Sequence, residues 1–171
     1  MVELMISVGI LTLCCGMLAS TLSSTGMLRR TNLERAVAVE AARGVIEDMH
    51  NCEYGIVFET FNDDPLDDPG GAGSAPGKHF QVEGLAAAAL DLDGFVGEVV
   101  FPTNASPLLE SVVDEGLTMP RDLNGDMMID DEDHAADHVV LPVRVIIQWK
   151  GRGGERYFEM QTMLSSMEIM E

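Results

Sequence analysis

The chain has 171 residues and a formal net charge of −19, with 29 Asp and Glu residues against 10 Lys and Arg residues. This length accommodates one modest globular domain beside a long helix. So large an excess of acid repels the phosphate backbone of nucleic acids, and nucleic acid is therefore not expected as a partner.

Residues 1–28 form an apolar stretch whose single charge, Glu3, lies near its start. At about 1.5 Å per residue, a helix of this length would cross a bilayer core of about 30 Å. Three interpretations compete: a secretory signal peptide, a plain single-pass anchor, and a helix buried among copies of itself. A signal peptide favours basic residues before a shorter apolar core, and a plain anchor leaves the costly carboxylate of Glu3 without a partner.

The run VELMISVGIL at residues 2–11 resembles the start of mature type IV pilins and type II secretion pseudopilins. The resemblance covers residues 1–49 and implies that Glu3 is the assembly glutamate, which pairs with the amino terminus of a neighbouring subunit. Two residues precede Glu3 where the family has four, so the resemblance leaves open which residue carries the methylated amine.

The same resemblance implies partners and a location. The partners would be copies of this chain in a helical filament, together with the inner-membrane machinery that assembles pili. The chain would lie in the bacterial inner membrane before assembly, and afterwards in an extracellular surface filament or a periplasmic pseudopilus.

Residues 29–52 continue the helix in amphipathic form, and we expect the helix to end near Cys52, before Gly55. Apolar residues recur here at about helical spacing, while Glu and Arg residues cover the other faces. The predicted apolar stripe consists of Leu33, Val37, Ala41, Val45 and Met49. Such a stripe favours packing against a globular head.

Residues 53–171 form the predicted head, which is rich in strands and acidic loops. Alternating apolar and β-branched residues predict strands at 79–84, 94–102, 139–150 and 155–164, and glycines at 151–154 predict a hairpin turn between the last two. The resulting fold class is α+β: a long N-terminal helix with an apolar first half, packed on an antiparallel sheet in the layout of pilins.

Three further segments belong to the predicted head. Residues 54–61 are read as a short strand or a connection, and residues 86–90 as a turn or a small helix. Residues 62–77 form a loop with four aspartates, interpreted as a solvated surface loop with a calcium contact as the alternative.

Residues 122–133 carry oxygen donors at alternating positions, an aliphatic residue at the eighth position and a carboxylate at the twelfth. This spacing resembles EF-hand-type calcium loops, in particular those of dockerin modules, which Asp closes. The resemblance implies a structural calcium site formed by side-chain oxygens and the Met128 carbonyl; the side chains are those of Asp122, Asn124, Asp126, Asp130 and Asp133.

This loop departs from the pattern at its sixth position. Glycine usually stands there because the backbone needs a positive φ, and this chain has Met127. A solvated acidic loop without an ion is therefore kept as the alternative.

The cysteines and histidines give little indication of chemistry. Cys14 and Cys15 are read as packing residues of the apolar helix, while Cys52 is either free or paired between subunits. His134 and His138 share an i, i+4 spacing but are predicted to lie on the surface. Asn104 begins a weak N-glycosylation sequon.

An enzyme is not expected, because the sequence offers no nucleophile, phosphate loop or convergent His and Asp pattern. The leading hypothesis is a structural subunit of a bacterial type IV pilus or pseudopilus-like filament. The alternative is a single-pass, membrane-anchored, calcium-binding interaction module. Glu3 distinguishes the two, because a tether tolerates Glu3→Ala and filament assembly does not.

Overall fold

The computed structural model describes residues 1–88, 94–103 and 106–166. The chain divides into two compact units, Met1–Ala36 and Val37–Glu171. Asn104 and Ala105 of the sequon lie outside the described residues, as do residues 89–90 of the segment predicted as a turn or a small helix.

Helix α1 (Val2–Asn51) is continuous over 50 residues and ends at the predicted place. It contains a segment long and apolar enough to cross a membrane, and none of that segment is buried. Hydroxyl groups within the helix donate to carbonyls one turn earlier, for example Thr21 to Met17 at 2.9 Å and Thr25 to Thr21 at 2.8 Å. These bonds satisfy the hydroxyls internally, so the helix continues through its Ser and Thr cluster.

The final turns of α1, from Val37 onwards, belong to the second unit and contribute to its core. Ala38, Ala42 and Met49 are buried there, and Ala41, Val45 and Ile46 are half-buried against the same core. Within this unit the predicted stripe was wrong at Val37, which is exposed. A step of four residues drifts about 40° around a helix, so the four steps from Leu33 to Met49 add up to about 160° and cannot stay on one face.

The residues that directly follow α1 are helical rather than extended. A 3-10 helix (Tyr54–Ile56) leads directly into helix α2 (Val57–Phe61). Val57, Phe58 and Phe61 are buried, and this spacing places them on one side of a helical turn. Burial of that side explains why the segment is not a strand.

The sheet has four antiparallel strands in the order β1 (His79–Phe80), β2 (Gly97–Val100), β3 (Val140–Gly151) and β4 (Gly154–Ser165). Together with α1 it confirms the predicted α+β class. Strand β3 buries alternate residues on its core face, namely Leu141, Val143, Val145, Ile147 and Trp149. The predicted hairpin is also confirmed, because Gly151 pairs with Gly154.

Strands β1 and β2 are shorter than predicted, and a glycine positions them. Phe80 pairs with Gly97 in the sheet. A Cβ atom at Gly97 would lie only 2.2 Å from the Phe80 ring, so a side chain at this position would clash with it. Because Gly97 has no side chain, the Phe80 ring can pack directly over its backbone at this edge of the sheet.

Residues 106–138, here called the acidic segment, connect β2 to β3 and contain one 3-10 helix, Glu115–Leu117. The segment folds back on itself: the His134 amide donates to the Leu108 carbonyl at 2.9 Å, and the Val139 amide donates to the Leu123 carbonyl at 2.7 Å. Leu108 and Leu123 are fully buried and fix the segment in the core. This fold-back brings together the polar residues described next.

Candidate metal centre

The predicted calcium loop is coiled by hydrogen bonds from its own amides to its side chains. Asp122 accepts from the amides of Gly125 at 2.5 Å and Met127 at 2.8 Å. Asn124 and Asp126 each accept from the amide two residues later, at 2.9 and 2.7 Å. These bonds fix each side chain in the repeated turns that such an oxygen-rich loop requires.

The backbone at Met127 has the conformation that the sixth position of a calcium loop requires. Its φ is 70°, and Gly125 is also left-handed with a φ of 85°. The Met127 side chain is 93% exposed, so it does not clash with the rest of the loop. A side chain in this region costs about 1–2 kcal/mol, which the loop's hydrogen bonds must offset.

The last two predicted ligands have partners outside the coiled part of the loop. One oxygen of Asp133 accepts from the amides of Leu108 at 3.0 Å and Ala135 at 3.1 Å. Asp130 Oδ1 accepts from the Glu132 amide at 2.8 Å and lies 3.1 Å from His134 Nε2. The Glu132 amide first, and then the His134 ring, lower the pKa of Asp130.

Glu110, which sequence reasoning did not select, is 1% exposed and reaches the loop from the other side of the acidic segment. Its Oε1 accepts from the amides of Leu123 at 2.5 Å and Asn124 at 3.2 Å, and its Oε2 accepts from the Asp130 amide at 3.4 Å. One buried carboxylate thus connects the beginning of the loop to its end.

His134 lies among carboxylates. Its Nε2 is 3.1 Å from Asp130 Oδ1 and 3.9 Å from Glu110 Oε1, and its Nδ1 is 3.1 Å from Asp137 Oδ1. Burial alone would lower the pKa of His134, but the hydrogen bonds to Asp130 and Asp137 and the charge of Glu110 outweigh it and raise that pKa.

The prediction that His134 and His138 lie on the surface was wrong, because they are only 3% and 7% exposed. Both rings are buried by the fold-back of the acidic segment. His138 Nδ1 lies within 3.1 Å of the His134 and Ala135 carbonyls, and burial lowers the pKa of His138.

Within the described residues, Glu110, Asp130 and His134 form a group that could hold a metal ion, with one donor atom of each lying within 4.8 Å of the others. Asp130 is the one predicted calcium ligand in this group. Two sequence signals could have found the others. Glu110 is a lone acid between Leu108-Leu109 and Val112-Val113, and His134 follows Asp130 at i+4.

The predicted assembly residue and the cysteines lie elsewhere. Glu3 is exposed in the first turn of α1, where the Ser7 hydroxyl donates to its backbone carbonyl at 2.9 Å. Cys14, Cys15 and Cys52 are free thiols in this structure.

Comparison of the chain with protein-family models, curated proteins and solved structures gave no significant match. The geometry of α1 and of the acidic segment is therefore what supports a function.

Proposed function

We propose that this chain is a structural subunit of a type IV pilus or pseudopilus-like filament, assembled by burial of its N-terminal helix among copies of itself. The observation that carries the proposal is the exposed apolar surface of α1 between residues 2 and 28. Large apolar side chains there are between 47% and 75% exposed; examples are Leu4, Met5, Leu11, Leu22 and Met27.

An apolar surface of this extent needs a cover, because water around it is unfavourable in proportion to its area. Lipid supplies that cover for a single chain in a membrane, and neighbouring helices supply it in a filament. A helix that is apolar on all sides suits either surrounding, so the subunit could pass from one to the other.

Glu3 favours the filament over a simple anchor. Lipid covers the apolar side chains of α1 but offers no counter-charge to a carboxylate at the edge of the hydrocarbon. The amino terminus of an adjacent subunit would provide that charge, and a subunit in the wrong register would leave Glu3 buried and unpaired. Glu3 would therefore select the axial register of the filament.

For the second unit, we propose a structural calcium ion bound by the loop of residues 122–133. The coiled loop of residues 122–133, with its left-handed Met127, fits an ion held by oxygen donors. The ion would be structural: it would offset the repulsion among the aspartates of an acidic segment that contains little regular structure.

The test is electron microscopy of surface filaments on cells that express the chain, with blotting for the processed subunit. We expect Glu3→Ala and the isosteric Glu3→Gln to abolish filaments while processed subunit persists in the membrane. Glu40→Ala, which removes an exposed carboxylate from the same helix, is the matched control and should keep filaments.

Two results would overturn the filament proposal: filaments that persist in Glu3→Ala, or no filaments in cells that carry the unaltered chain. Either result would favour the anchored, calcium-binding module, in which α1 serves only as a tether.

A further inference from the structure

The buried group around His134 has an excess of negative charge. Within the described part of the chain, the ionic partner of Glu110 is His134, and no Lys or Arg reaches this carboxylate. Even a protonated His134 brings one positive charge to three carboxylates, those of Glu110, Asp130 and Asp137. Glu110 is buried and Asp130 is partly exposed, so these two neighbouring carboxylates are costly without further counter-charge, whereas Asp137 is largely exposed to water.

The ring of His134 gives a second argument. Both of its nitrogens face carboxylate oxygens at 3.1 Å, whereas a neutral imidazole carries a single N–H. If Nδ1 donates to Asp137, the lone pair of Nε2 points toward Asp130 and Glu110. For the neutral ring such an arrangement is repulsive unless a metal cation lies among the three atoms; protonation of Nε2 is the other way to relieve it.

We propose that His134 Nε2, with carboxylate oxygens of Glu110 and Asp130, binds a divalent transition-metal ion of the zinc class. The three donor atoms lie within 4.8 Å of one another, and Nε2 is 3.1 Å from Asp130 and 3.9 Å from Glu110. Tetrahedral zinc with bonds of about 2.0–2.1 Å separates its ligands by about 3.4 Å, so small side-chain movements would complete the site.

Asp137 has the position of an outer-sphere carboxylate. Metal-binding histidines usually donate their other ring N–H to a carboxylate or a carbonyl, which fixes the tautomer and the orientation of the ring. Asp137 Oδ1 lies 3.1 Å from Nδ1 and fits this role. Asp137 is therefore a positioning residue rather than a ligand.

The chemistry of the donors separates this site from the calcium loop. Calcium takes oxygen ligands almost exclusively, while an imidazole nitrogen selects zinc and related ions. The two sites share Asp130. Since Glu110 also holds the amides of Leu123 and Asn124, an ion at His134 would clamp the start of the loop to its end.

The test uses the full chain in detergent, freed of metal and then dialysed against Zn²⁺ with excess Ca²⁺. We expect one tightly held zinc per chain. Asp137→Asn should weaken zinc binding roughly 10–100-fold, and His134→Gln, which removes a ligand, should weaken it more. Co²⁺ as a spectroscopic probe should give the visible absorption of a four-coordinate site in the wild type and not in His134→Gln.

Two matched controls isolate the site, and circular dichroism verifies that each variant is folded. Asp126→Asn alters the calcium loop alone, and His50→Gln removes an exposed imidazole; both should bind zinc as the wild type does. Asp137→Asn keeps the test decisive if His134→Gln does not fold. The proposal is overturned if the wild type holds no zinc, if excess calcium displaces it, or if Asp137→Asn binds it with unchanged affinity.

Discussion

At the scale of single residues, the buried hydroxyl group of Tyr54 lowers the stability of the fold by an amount that can be measured. Its hydroxyl oxygen is buried without a hydrogen-bond partner among the described residues, and its ring centroid lies 5.1 Å from that of His138. Burial raises the pKa of Tyr54 from 10.0 to about 12. An unsatisfied buried hydroxyl opposes folding because the unfolded chain hydrates it.

Tyr54→Phe should therefore raise the free energy of unfolding by about 1 kcal/mol at pH 8. Below pH 10 the wild-type phenol is neutral in both states; between pH 10 and about 12 only the unfolded state ionises, so wild-type stability falls as pH rises. The advantage of Tyr54→Phe should thus be larger at pH 11 than at pH 8. Urea unfolding followed by fluorescence of Trp149, the single and buried tryptophan, measures both values.

Tyr157→Phe is the control for that substitution, since Tyr157 is 57% exposed and its loss should change stability at pH 8 by less than about 0.5 kcal/mol. An advantage of Tyr54→Phe that is equal at both pH values would contradict the assignment of the raised pKa to Tyr54.

At the scale of elements, the carboxyl-terminal part of α1 packs through alanines. Ala38 and Ala42 are 0% exposed within the core cluster of the second unit. Small side chains bury little area themselves, but they let the helix backbone approach its neighbours closely. Val37, a larger apolar residue of the predicted stripe, is exposed.

Ala42→Leu should overpack this contact and lower the free energy of unfolding by about 1–3 kcal/mol. Ala36→Leu makes the same change at an exposed position of α1 and should be nearly neutral. Urea denaturation of the two variants and the wild type, followed by Trp149 fluorescence, is the measurement. Equal stability of Ala42→Leu and Ala36→Leu would mean that the Ala42 contact tolerates added volume.

At the scale of the whole molecule, calcium should stabilise the chain through the acidic segment. An ion that binds only the folded state adds about 2.7 kcal/mol when its free concentration is 100 times Kd. We expect CaCl₂ added to metal-free protein to raise Tm by roughly 2–4 °C for each kcal/mol. A thermal scan during the titration measures this shift.

Combined Asp122→Asn and Asp126→Asn substitutions should abolish the calcium-dependent rise in Tm. Asp64→Asn changes an aspartate of the other acidic loop and should leave the rise intact. A rise that survives in the double variant would place the calcium elsewhere in the chain, or show only general screening of its charge.

The sequence by itself determined the elements whose signals are local. The uncharged run through residue 28 predicted α1, the alternation of residues 139–150 predicted β3, and the glycines at 151–154 predicted the hairpin. In each case a residue's near neighbours in the chain impose the pattern: helical periodicity, the alternation of strand faces, or turn geometry. The coiled turns of residues 122–133 are of the same kind, because their side chains accept amides a few residues away.

Only the tertiary structure decided which polar residues meet. Glu110 and Asp130 are 20 residues apart, and fold-back around Leu108 and Leu123 brings them together and buries His134 with them. Burial likewise selected the helical form of residues 57–61 and the alanine face of α1. These outcomes depend on which surfaces are removed from water together, and residue spacing within one segment carries no information about its distant partner.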